Sequence, residues 1–77
     1  MPKFEDLRDM LSDIASVDPE LIDPDTTFFE DLGIETVMIM EFISALENKY
    51  GIQIPESDAS RINSISELIR YINSKSN

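Results

Sequence analysis

Across residues 3–17 the apolar positions Phe4, Leu7, Met10, Leu11 and Ile14 recur at spacings of three and four, with Glu5, Asp6, Arg8, Asp9 and Asp13 between them. That period puts the apolar set on one face of an amphipathic helix. The helix is predicted to stop before Pro19, because the residue ahead of a proline avoids helical geometry, and Pro24 keeps the next stretch irregular. Residues 18–34 are therefore predicted to form a long ordered loop, with Leu21, Ile22, Phe28, Phe29 and Leu32 available to tack it onto the core. A second helix is predicted from about Thr36 to Tyr50, with Val37, Met40, Ile43, Leu46 and Tyr50 as its inner face and Gly51 as its stop. Ile52-Gln53-Ile54 alternates but is too short for a strand, and Pro55 opens a short turn or helix that carries Ala59 and Ile62. Ser64-Ile65-Ser66-Glu67 has the spacing of a capping box, in which the serine oxygen and the glutamate each satisfy a free backbone donor. The helix that follows has the stripe Ile65, Leu68, Ile69 and Ile72, and its polar end, residues 73–77, is expected to fray.

Each apolar stripe needs another to cover it, so three main helices, one short helix and a long loop between the first two predict an all-α fold, a small four-helix bundle. Residues 1–77 read as a single domain, without internal repeats. A chain of 77 residues buries only roughly 60% of its unfolded surface, which argues against a large enclosed active site. Its 42% hydrophobic content, spread through eleven isoleucines, six leucines and four phenylalanines, indicates a globular protein despite the charge.

Six basic residues against sixteen acidic ones leave a formal charge of −10. Such a surface repels nucleic-acid phosphate and anionic membranes and favours basic patches on other proteins. Without cysteine or histidine, there is neither a disulfide framework nor a thiolate metal site, and the usual zinc and general-base chemistry is also missing. The expectation is a protein-binding chain, neither an enzyme nor a metalloprotein. No apolar run approaches the eighteen or so residues of a membrane span, and Met1-Pro2-Lys3-Phe4-Glu5-Asp6 lacks the basic start of a signal peptide. A cytoplasmic monomer without membrane insertion is expected.

Candidate chemistry concentrates where the loop hands over to the second helix, because Thr36 places a hydroxyl there. Free backbone N–H groups and the positive end of the helix dipole would favour a phosphoryl group on that hydroxyl. The competing assignment is a helix-capping threonine, since hydroxyl side chains are preferred caps. Asp23-Pro24-Asp25 begins like a calcium loop, but Phe28 occupies the sixth position, where such a loop needs glycine. Glu30, Asp31 and Glu35 have no nucleophile or metal ligand beside them in the sequence and read as solvated surface.

Residues 4–72 closely resemble the acyl carrier protein family. The family's attachment motif, approximately F-x-E-D-L-G-x-D-S-L, stands here without a gap as Phe28-Phe29-Glu30-Asp31-Leu32-Gly33-Ile34-Glu35-Thr36-Val37. Downstream, Ala45-Leu46-Glu47-Asn48-Lys49-Tyr50-Gly51-Ile52-Gln53-Ile54-Pro55 is similar to A-L-E-E-x-F-x-I-x-I-P, and residues 62–72 are similar to the family's last helix. The resemblance implies a helical bundle that shuttles acyl groups as thioesters on a 4′-phosphopantetheine arm between fatty-acid, lipid or polyketide biosynthetic enzymes. It implies that a phosphopantetheinyl transferase attaches the arm at the position of Thr36, where the family has serine.

Threonine keeps the hydroxyl and adds a β-methyl group. Slow modification by a tolerant transferase, a relative that is never modified, and an engineered Ser→Thr block all fit this substitution. By the resemblance, the docking residues are Glu35, Met38, Ile39, Glu41 and Glu47, presented to enzymes with basic or mixed basic and apolar patches. Met38 stands where an acid is usual, so Met38 and Ile39 either widen the buried stripe or form an apolar docking contact, and the helix register places Met38, Glu41 and Ala45 opposite the core. Acyl-lining positions implied by the resemblance are Phe28, Leu46, Ile54, Ala59, Ile62, Leu68 and Ile69. Three rivals remain open: an unmodified carrier-like regulatory subunit that binds through its second helix, a carrier cut from a peptide or polyketide megasynthase, and an acidic decoy for nucleic-acid-binding proteins.

Overall fold

A computed structural model describes residues 2–75. It contains α1 (Phe4–Ala15), a single 3-10 turn (Pro19–Leu21), α2 (Thr36–Tyr50), α3 (Glu56–Ala59) and α4 (Ile65–Lys75). Among the described residues there is no strand, and no helix is long and apolar enough to cross a membrane. α1 packs against both α2 and α4, which gives the all-α bundle of three long helices and one short one that the periodicity predicts.

The first helix ends at Ala15, earlier than Val17, and Pro19 does not set its end. Ser16 takes a left-handed conformation (φ 56°, ψ 45°), and its N–H donates to the Ser12 carbonyl. The Val17 N–H reaches the same carbonyl, while the Ser12 hydroxyl donates to the Val17 carbonyl. Two N–H groups thus converge on the Ser12 carbonyl, one of the free carbonyls of the last turn, in a left-handed cap usually built on a glycine. At the end of α2, Gly51 (φ 64°) does close the helix as expected, its N–H donating to Glu47 O.

α2 buries a face shifted from the predicted one, keeping Ile43 and Leu46 of the expected set. Ile39, Phe42, Ile43 and Leu46 enter the core, whereas Val37 is 57% exposed and Met40 and Tyr50 are only half-buried. The run Val37, Met38, Ile39, Met40 permits either register, and Phe42 decides between them. It meets Phe28 from the loop edge to face, with centroids 6.2 Å apart and planes at 85°. Aromatic pairs favour this arrangement, and burying two such rings outweighs the cost of leaving one valine in water.

Residues 18–34 are anchored by fewer apolar groups than expected. Ile22 and Phe28 are buried and Leu32 half-buried, but Leu21 is 63% and Phe29 38% exposed. Polar bonds supply the remaining anchors. Phe28 N–H donates to the Asn63 carbonyl (2.9 Å), Phe29 N–H to Asn63 Oδ1 (3.3 Å), and Asn63 Nδ2 to Glu30 (2.6 Å). Ser66 donates its N–H to the Pro24 carbonyl and its hydroxyl to Asp25. Within the loop, Thr27 and Asp31 exchange reciprocal side-chain to backbone bonds of 2.9 Å. No group of acids among the described residues could hold a metal ion.

α4 begins with half of the predicted capping box. Ser64 Oγ accepts from Glu67 N–H, but the Glu67 carboxylate reaches one residue further back and accepts from Asn63 N–H (2.7 Å). That shift couples the cap to the loop, since Asn63 is the loop's main anchor. Ile65, Leu68 and Ile72 are buried and Ile69 is half-buried. The helix runs past residue 73 to Lys75, so the polar tail expected to fray is helical as far as it is described; residues 76 and 77 lie outside the described residues. Tyr71 donates to Asp58 (2.7 Å), which ties α4 to α3 and raises the tyrosine pKa.

One of the expected docking acids is structural. Glu47 is half-buried, and its carboxylate accepts the Ile54 N–H at 2.7 Å, closing the link between α2 and α3. Glu47→Ala leaves that donor unpaired and should cost roughly 1–3 kcal/mol in thermal or denaturant unfolding, whereas Glu47→Gln, which keeps an acceptor, should retain most of the stability.

The bond from Asn63, with a smaller contribution from backbone N–H, holds the Glu30 carboxyl below its ordinary pKa. A lowered native value contributes stability that is present above the ordinary carboxylate range and lost as pH falls through the lowered value. Asn63→Ala should therefore raise the Glu30 pKa toward its ordinary value in an NMR titration and flatten this part of the acid-unfolding profile.

Candidate functional site

Thr36 is the first residue of α2. Glu35 occupies the cap position (φ −72°, ψ 150°) and makes no side-chain capping bond. The capping assignment for Thr36 is thus corrected: its side chain is exposed and forms no hydrogen bond among the described residues. The Glu35 carbonyl already accepts from both Met38 N–H (3.0 Å) and Ile39 N–H (3.2 Å). The N–H groups of Thr36 and Val37 precede those bonds and have no acceptor among the described residues. A hydroxyl free to react thus sits beside two free donors at the positive end of a helix of 15 residues.

The turn before Thr36 fixes where that hydroxyl points. Leu32 N–H donates to Thr27 O, Gly33 N–H to Phe29 O and Ile34 N–H to Phe28 O, so the chain closes on itself directly after the buried Phe28. Gly33 has φ +63°, a conformation that costs a residue with a side chain more than glycine. With Phe28 and Ile34 both buried, Glu35 and Thr36 leave the core at a defined place.

Two depressions flank the site. On one side, Thr36, Phe29, Ile39, Met40 and Ala59 line a mostly apolar cleft of about 400 Å³, with Glu56, Ser57 and Ser60 at its edge. On the other, Ala15, Val17, Leu32, Ile34, Glu35 and Met38 line a groove of about 420 Å³.

The structure separates the residues grouped as docking positions. Glu35 and Glu41 are exposed, Met38 is half-buried and packed on the core, Ile39 is 3% exposed, and Glu47 is held by Ile54. Met38 and Ala45 therefore do not stand clear of the core as the predicted register had them, whereas Glu41 does. Ile39 belongs to the buried stripe and reaches the surface only where it lines the cleft beside Thr36. Sequence reasoning missed exposed Val37, next to Thr36. Its signal was the run of four apolar residues, one of which has to face outward on a helix with a single buried face.

Among the seven acyl-lining positions, Phe28, Leu46, Ile54, Ala59, Ile62 and Leu68 are buried and Ile69 is half-buried. Only Ala59 of these borders the cleft beside Thr36. Asp31 is engaged by Thr27 and Glu30 by Asn63, which fits their expected part as surface rather than as an acid/base pair.

Residues 5–72 match the family model described as a phosphopantetheine attachment site. The acyl carrier protein of Campylobacter hominis is 39% identical over 72 residues, which cover 94% of this chain and 91% of that protein. That of Campylobacter concisus is 38% identical over 72 residues, covering 94% of each. The acyl carrier protein of Wolinella succinogenes is 33% identical, again over 72 residues, covering 94% of this chain and 95% of that protein. Acyl carrier proteins are carriers rather than catalysts, and they meet phosphopantetheinyl transferases and acyl-handling enzymes. The free hydroxyl fits a phosphodiester, since the two neighbouring N–H donors would face its anionic oxygens. By the extent of these matches and by its helical fold, the chain belongs to the acyl carrier protein family, whose prosthetic group is 4′-phosphopantetheine.

Proposed function

We propose that this chain is a monomeric cytoplasmic acyl carrier whose Thr36 Oγ bears the phosphopantetheine arm and which serves fatty-acid, lipid or polyketide enzymes. The observation that carries this reading is the exposed, unbonded Thr36 hydroxyl at the N-terminus of α2, beside an apolar cleft. The arm supplies a thiol that holds an acyl group as a thioester. Loading requires Thr36 Oγ to form an ester bond to phosphorus of coenzyme A as adenosine 3′,5′-bisphosphate leaves and the hydroxyl proton passes to the transferase. Within the free chain the β-methyl group meets no obstacle, because Thr36 is exposed. The constraint lies in the transferase, where misplacement by about an ångström costs on the order of a hundredfold in rate.

The cleft offers an apolar surface to the first part of an acyl chain. The core positions behind it, Phe28, Leu46 and Leu68, are fully buried, so a longer chain has to displace side chains as it enters. Glu35 and Glu41, with exposed Val37 between them in sequence, face partners whose basic residues neighbour apolar ones. Charge complementarity of this kind raises association rate and selectivity more than affinity. The threonine itself favours a second reading, in which the chain is never modified and acts as a binding subunit through α2.

Intact mass after incubation with coenzyme A and a broad-specificity phosphopantetheinyl transferase separates the two. The expected result is a gain of one phosphopantetheine group mapping to Thr36, with Thr36→Ser loading faster. A gain by the serine variant alone would leave the protein as written an unmodified binding subunit.

A further inference from the structure

We infer that Asn63, in the junction between α3 and α4, is a positioning residue for loading of Thr36, acting through Phe29 and Glu30. Its side-chain amide makes two bonds of opposite sense: Oδ1 accepts the Phe29 N–H (3.3 Å), and Nδ2 donates to the Glu30 carboxylate (2.6 Å). The Phe29 N–H and the Phe28 carbonyl belong to one planar peptide group. Asn63 holds that plane from one side, and from the other the Phe28 carbonyl accepts the Ile34 N–H (2.9 Å). The next carbonyl, that of Phe29, accepts the Gly33 N–H (3.2 Å). Gly33 and Ile34 are thus fixed through residues that Asn63 holds, and Glu35 and Thr36 follow directly. Phe29 is also a wall of the cleft that Thr36 lines, whereas Asn63 borders neither depression beside Thr36. It therefore acts at second hand, on the direction of the hydroxyl and on the shape of the cleft.

The chemistry of the site calls for an amide. Only an amide offers an acceptor to Phe29 and a donor to the carboxylate of Glu30 at the same time. Aspartate would keep the acceptor and set a second carboxylate against Glu30, and alanine would lose both bonds. The main-chain bond from Phe28 N–H to the Asn63 carbonyl (2.9 Å) and the burial of Phe28 do not depend on the side chain at this position. The contribution of the amide is therefore separable from the anchoring of the loop as a whole. Transfer of the arm needs the hydroxyl in line with phosphorus, so a turn held on one side only loses rate before it loses binding. The inference rests on the reading of Thr36 as the point of attachment.

The test measures the kinetics of loading by intact mass, with coenzyme A and a broad-specificity phosphopantetheinyl transferase, in the full chain and in the same chain carrying Thr36→Ser. Asn63→Ala should lower kcat roughly tenfold and leave KM for the carrier within about twofold. Asn63→Asp should also lower kcat, and adding Glu30→Gln, which exchanges donor and acceptor at the same net charge, should restore most of it. Ser66→Ala removes the hydroxyl bond to Asp25 (2.7 Å) from the same junction and should leave kcat unchanged, which controls for general loosening. Amide hydrogen exchange in Asn63→Ala should quicken at Gly33 and Ile34 but not at Ile54, whose N–H is held by Glu47. Circular dichroism checks that each variant is folded; should Asn63→Ala unfold, Glu30→Ala, at an exposed position, breaks the Nδ2 bond and should slow loading in the same way. Unchanged kcat on loss of the amide, an equal loss in Ser66→Ala, or no recovery in the Asn63→Asp, Glu30→Gln pair would overturn the assignment. A chain that loads only with serine, with the same dependence on residue 63, loses the reading of Thr36 as attachment point and keeps the positioning. One that loads at Thr36 whatever stands at residue 63 loses only the positioning, and loading in neither background overturns both.

Discussion

The burial of Phe28 against Phe42 is the constraint on which the rest of the molecule depends. A small domain has little apolar area to spare, yet this one commits a fully buried aromatic ring from its loop to the centre of the core. Once Phe28 is fixed, its backbone bonds to Asn63 and Ile34 close the turn that delivers Thr36 to the surface. The register of α2 follows from the same contact, because Phe42 has to face inward to meet the ring. The site is thus positioned by packing at some distance from the hydroxyl itself.

An irregular loop against a core has to pair its backbone groups or lose the free energy of their hydration. Here the α3–α4 junction supplies the partners. Asn63 binds three consecutive loop residues, and Ser66 binds Pro24 and Asp25. Among the described residues no buried side-chain polar atom is left without a partner. Loop, α3–α4 turn and the start of α4 therefore form one hydrogen-bonded unit, with the Glu67 carboxylate joining the helix cap to Asn63.

The acidic surplus divides into two populations. Asp25, Glu30, Asp31, Glu47, Asp58 and Glu67 accept hydrogen bonds that hold the fold together. Glu35 and Glu41 are exposed and have no side-chain partner among the described residues. A count of acids along α2 would place Glu47 with Glu41, although the carboxylate of one is tied to Ile54 and that of the other is free for a partner. Electrostatic steering draws on the whole surplus, whereas a carboxylate already bound within the fold has less to offer a second group.

Helix existence, the glycine that ends α2, the Ser64 cap and the place of the exposed Thr36 hydroxyl at the start of α2 were legible in the residues, since period, breaker residues and caps are local properties. The family was legible too, through an attachment motif and a second segment in unbroken register. The buried face of α2 was not, because four consecutive apolar residues satisfy two helical registers equally. Nor was the end of α1, because a serine in the left-handed region leaves no compositional mark. The split between structural and free acids was also hidden, since a carboxylate's partner can lie several residues or two elements away. Local chemistry is written in neighbouring residues, but which side of a helix is buried and which charge is free depend on what packs across the core, and that is a property of the assembled fold alone.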